Sequence, residues 1–69
     1  MQNALWRICP EYLVGYVEDP EVIRKIRRSY PEFMEFGIYY RNGTVIARQY
    51  RIPSDQKRSA RRLLGVNLT

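Results

Sequence analysis

The sequence predicts a small α+β domain. A β-α-β-β-α order, with a possible extra N-terminal strand, should build a small antiparallel or mixed sheet with two helices packed on one face. Three observations predict it. Asn42-Gly43 separates two runs rich in β-branched and aromatic residues; Asp19-Pro20 and Pro31 bracket a stretch of helical apolar spacing; and a similar stretch runs from Ser54 to Gly65. No internal repeat, linker or low-complexity segment divides residues 1–69, so the chain is read as one domain.

Taken in order, Ala4 to Cys9 alternates weakly and ends at Pro10, which fits either a short strand or an ordered arm. Tyr12 to Val17 is apolar on both faces, with Tyr12, Val14 and Tyr16 on one and Leu13, Gly15 and Val17 on the other. That pattern points to a central strand. Asp19 offers an acceptor at a helix N-cap and Pro20 fits the first helical position. Val22, Ile23, Ile26 and Tyr30 then share one side, opposite Arg24, Lys25, Arg27 and Arg28, and Pro31 stops the helix at Tyr30.

Asn-Gly is the preferred pair for a two-residue type I′ turn, where both residues need positive φ. An unbroken register from that turn pairs Tyr40 with Val45, Ile38 with Ala47 and Phe36 with Gln49 on a side expected to pack on the helices. Tyr39 with Ile46, Gly37 with Arg48 and Glu35 with Tyr50 would occupy the other. Pro53 ends the hairpin. Ser54 is expected to be the N-cap of the last helix, with Asp55 in its first turn. Ala60, Leu63 and Leu64 form a narrow apolar stripe, Gly65 is placed to end the helix, Val66 to make the closing contact, and the last residues to fray.

Composition narrows the function classes. At 69 residues, folding buries only about 60% of the surface of the unfolded chain, so packing or a partner has to supply the rest of the stability. One cysteine and no histidine exclude a disulfide and a four-ligand Cys/His zinc site within one chain. The absence of histidine also removes the usual base at neutral pH, and Ser29, Ser54, Ser59 and Cys9 have no evident activating partner. The expectation is a non-enzymatic protein without cofactor or metal. No run approaches the roughly 20 apolar residues of a membrane span, and Arg7 and Glu11 interrupt any signal-peptide pattern. A cytoplasmic, reducing setting follows as an expectation.

Charge is unevenly spread. Residues 1–40 hold five bases and six acids, a net −1, whereas residues 41–69 hold seven bases against Asp55 alone, a net +6. Ten of the twelve bases are arginine, whose planar fork suits phosphate and guanine. The expected function is therefore nucleic-acid binding, to DNA or RNA. Arg48, Arg51, Lys57, Arg58, Arg61 and Arg62 would contact phosphates, and Tyr39 or Tyr50 would stack on bases. The base run of the first helix lies near Glu18, Asp19 and Glu21 and reads mainly as a solvated face; beside the second helix, the two would form one large positive surface. The alternative is a protein-interaction module, a homodimer or a small regulator of a larger partner. Its motive is the aromatic surplus, including Trp6 and the two-sided segment Tyr12 to Val17.

Overall fold

The computed structural model describes residues 2–69. Four strands, Asn3–Cys9 (β1), Tyr12–Val17 (β2), Met34–Arg41 (β3) and Thr44–Pro53 (β4), form one sheet in the order β1-β2-β4-β3, and every neighbouring pair is antiparallel. Two helices, Pro20–Ser29 (α1) and Lys57–Leu64 (α2), pack on one face of it. β2 is central, as its two apolar faces require.

The core lies between that face and the helices. Leu5, Leu13, Val17, Tyr50 and Ile52 from the sheet meet Val22 and Ile26 of α1, Phe33, and Ala60 and Leu64 of α2. Leu5, Leu13, Val17 and Ile52 are fully buried; such side chains each contribute about 1.5–3 kcal/mol. Gly15 holds the centre. A Cβ there would stand 2.9 Å from Ile52 Cδ1 and 3.2 Å from Leu64 Cδ2, so its missing side chain is what lets α2 settle on the sheet.

Local signals place the helix ends. Asp19 is extended (φ −72°, ψ 116°) and its carboxylate accepts from the Glu21 N–H at 2.9 Å, capping α1. Gly65 closes α2 in the left-handed conformation, with its N–H donating to the Arg61 carbonyl. Asn42 and Gly43, at φ 52° and 78°, form the tight turn of the hairpin.

Three expectations are corrected. First, the hairpin register is broken twice. Tyr40 pairs with Val45 and Glu35 with Tyr50 as expected, but between them Tyr39 pairs with Ala47, Ile38 with Arg48 and Gly37 with Gln49. Ile46 is an extra residue on β4 and Phe36 one on β3, so two bulges offset each other. Along β4 below the Ile46 bulge the helix-facing side is also the reverse of the expected one, whereas Ile38, opposite Arg48, keeps its expected side; the helices cover only the base of the hairpin. There Ile52 and Tyr50 pair with Leu13 and Gly15 of β2 and join the core. Second, Ser54 does not cap a helix. It begins a 3-10 turn, Ser54–Gln56, and its hydroxyl donates to the Pro10 carbonyl while accepting from Arg7. Third, the C-terminus is held. Leu68 bridges Leu5 in parallel, and the Thr69 N–H and hydroxyl both donate to the Leu5 carbonyl, at 3.0 and 3.2 Å.

Candidate nucleic-acid interface

The eight residues expected to contact nucleic acid do not form one surface. Tyr50 leaves the set first. It is 4% exposed and faces the helices, so its ring offers no face to a base, and burial raises its phenol pKa. Arg48 leaves it next. Its Nη1 donates to Glu35 Oε1 at 2.8 Å, and the two side chains are only 19% and 35% exposed, so the cation already has its counter-charge. Arg51 and Tyr39 lie on the opposite face of the sheet from the helices. The Arg51 guanidinium stacks over Tyr12 at 4.5 Å from the ring centroid. The Tyr39 ring meets Tyr16 edge-on at 5.6 Å, and its hydroxyl donates to Gln49.

The other four, Lys57, Arg58, Arg61 and Arg62, remain together on α2, and all are exposed. Arg58, Arg61 and Arg62 line a depression of about 370 Å³ with Gly65, Val66 and Asn67, and Arg61 Nη2 donates to Asn67 Oδ1 at 3.0 Å. Lys57 lies one turn before Arg61. The helical period makes this cluster unavoidable: a helix whose apolar stripe is Ala60, Leu63 and Leu64 must turn these residues to solvent.

Lys25 and Arg28 join them from α1. They line a groove of about 390 Å³ between the helices, together with Ser29 and Tyr30 on one wall and Ser59, Arg62 and Leu63 on the other. Arg62 borders both depressions. Their amphipathic spacing marks Lys25 and Arg28 as solvent-facing, and the side-by-side packing of the helices is what adds them to the α2 cluster. Their near neighbours Glu21 and Asp19 are occupied, Glu21 by Arg24 and Asp19 by the helix cap. Among the described residues there are only two ion pairs, Arg24–Glu21 and Arg48–Glu35. Lys25, Arg28, Lys57, Arg58, Arg61 and Arg62 take part in neither.

Among the described residues no group of three or more His, Cys, Asp or Glu could hold a metal ion, and no helix is long and apolar enough to cross a membrane. No protein-family model, curated protein or solved structure matches the chain, so the geometry of these surfaces carries the functional argument.

Proposed function

We propose that the chain is a small, non-enzymatic nucleic-acid-binding protein whose two helices together hold a phosphate backbone. One observation carries the reading: Arg62 links the α2 depression, with Arg58 and Arg61, to the groove it shares with Lys25 and Arg28, and these five bases, with Lys57 one turn away on α2, take part in no ion pair. Such an arrangement gains affinity by releasing counterions from the nucleic acid, and it positions the backbone without reading bases. Arg48, Arg51, Tyr39 and Tyr50 are left out of the contact set.

A panel of single- and double-stranded DNA and RNA, titrated at two salt concentrations, tests it. Binding at low salt, lost in the Arg28→Glu, Arg62→Glu double variant with the fold intact, is the expected result. No binding to any of the four, or full binding by that variant, would refute it. A second reading, a protein-interaction module, is favoured by a separate observation, the apolar residues exposed along the hairpin.

A further inference from the structure

Past Arg48, the hairpin leaves the sheet. The pairing of β2 with β4 ends at Val17 with Arg48, whose partner on β3 is Ile38, so Tyr39–Arg41 and Thr44–Ala47 are strand-paired only to each other. A lone two-stranded ribbon is marginal in water. This one exposes Ile38, Tyr39, Tyr40, Val45 and Ile46 at 39, 42, 62, 37 and 37%, and Met34 and Phe36 at its base at 53 and 57%. Its outer strand, β3, is a sheet edge with neither lysine nor proline, the residues that usually guard an edge against pairing. Its one acid, Glu35, is neutralised by Arg48.

We infer that β3 is the dimer interface of this protein: two copies pair edge to edge, antiparallel, into one continuous eight-stranded sheet. This goes beyond the nucleic-acid reading and uses a different surface. The occupant is argued to be a second copy from the register of the edge. The two-residue turn makes Arg41 and Thr44 the pair that closes the hairpin, so by alternation the outward N–H and C=O groups are those of Tyr40 and Ile38. Antiparallel pairing about a two-fold axis at Tyr39 sets Ile38 of each copy against Tyr40 of the other. Both are outward residues, and an aromatic lies against a β-branched side chain, a favourable cross-strand pair. Arg41 then faces Gly37, so no like charges meet, and the Tyr16–Tyr39 pairs of the two copies meet at the axis. The isologous match needs no other chain.

The register makes the test specific, and it is run on the full chain without nucleic acid, so its outcome is separate from that of the binding panel. Sedimentation across a concentration series should show a dimer, and Tyr40→Pro, which deletes an outward N–H while sparing the ladder to β4, should sediment as a folded monomer. Ile38→Lys replaces it if the proline variant does not fold. In a Cys9→Ser background, Tyr39→Cys should crosslink rapidly on oxidation, because residues opposed in a non-hydrogen-bonded pair lie about 4.5 Å apart at Cα, within disulfide reach. Tyr40→Cys, displaced diagonally by about 7–8 Å, should not. A monomer at every concentration, an open series of higher masses, a dimer that persists in the folded edge variant, or crosslinking of Tyr40→Cys as fast as that of Tyr39→Cys would each overturn the inference.

Discussion

Replacing Gly15 by alanine should destabilise the protein, although alanine is the better residue by backbone entropy. The entropic gain from removing a glycine is about 0.4–1 kcal/mol. Against it stands a methyl group 2.9 Å from Ile52 Cδ1, 3.2 Å from Leu64 Cδ2 and 3.8 Å from Leu5 Cδ1. Leu5 and Ile52 are fully buried and Leu64 is 4% exposed, so none can retreat into solvent. Overpacking of this kind costs about 1–3 kcal/mol, and the net loss should be about 1–2 kcal/mol. At about 4–8 °C per kcal/mol for a domain of this size, Tm should fall by roughly 5–15 °C in a circular-dichroism melt. Ile52→Val removes the nearest clashing atom and costs about 0.5–1.5 kcal/mol alone. In the Gly15→Ala, Ile52→Val double variant the two losses should sum to less than their parts by about 0.5–1 kcal/mol, because they share one contact. An unchanged or raised Tm for Gly15→Ala, or strict additivity in the cycle, would refute the reasoning. The site depends on the same contact, since Leu64 holds α2, and so the groove between the helices, on the sheet.

Other perturbations have equally definite outcomes. The Glu18 carboxylate accepts from the Gln2 N–H and the Tyr16 hydroxyl at 2.7 and 2.8 Å, which lowers its pKa from the ordinary 4.5. Its contribution to stability is therefore present above pH 4.5 and lost as the pH falls through the lowered value. Glu18→Gln should lower the urea midpoint at neutral pH and converge with wild type in acid. Deleting residues 67–69 removes the bridge to Leu5 and two hydrogen bonds to its carbonyl; at about 0.5–1.5 kcal/mol per bond, a fall of roughly 1–3 kcal/mol should appear in chemical denaturation. Gly43→Ala forces a side chain into φ 78°, costing about 1–2 kcal/mol, which thermal melts should detect with the native circular-dichroism spectrum unchanged.

Much of the fold could be read directly from residue types. Asp19-Pro20, Asn42-Gly43 and Gly65 act through backbone geometry that the residue itself dictates, and each sits where its chemistry placed it. The alternation of β2 gave its central position. Features set by distant partners could not be read in this way. The bulge at Phe36 arises where β4 serves two neighbours at once and that at Ile46 just beyond the end of its pairing with β2, and no local pattern announces either. The helix-facing side of β4 was misjudged for the same reason: a register run unbroken from the turn puts Ala47 and Gln49 on the core side, but the extra residue at Ile46 turns Arg48, Tyr50 and Ile52 there instead. Ser54 resembles an N-cap in every local respect, yet Pro10 and Arg7 occupy its hydroxyl. In the candidate site the α2 bases were evident from helical period alone. The pairing of Arg48 with Glu35 and the burial of Tyr50 both follow from the sheet's handed packing, and the addition of Lys25 and Arg28 follows from the packing of two helices distant in sequence.

The salt dependence of binding tests the central claim most directly. With each phosphate contact contributing about 0.9 to the slope on duplex DNA, six contacts predict a fall of log Kobs against log salt with slope near −5 between about 50 and 200 mM. Arg62→Ala should reduce the slope by about one and weaken binding similarly on every sequence, whereas Arg48→Ala should leave the slope unchanged because its charge is already paired. A slope near zero, or one that responds to Arg48 and not to Arg62, would contradict the assignment of the phosphate backbone to the two helices.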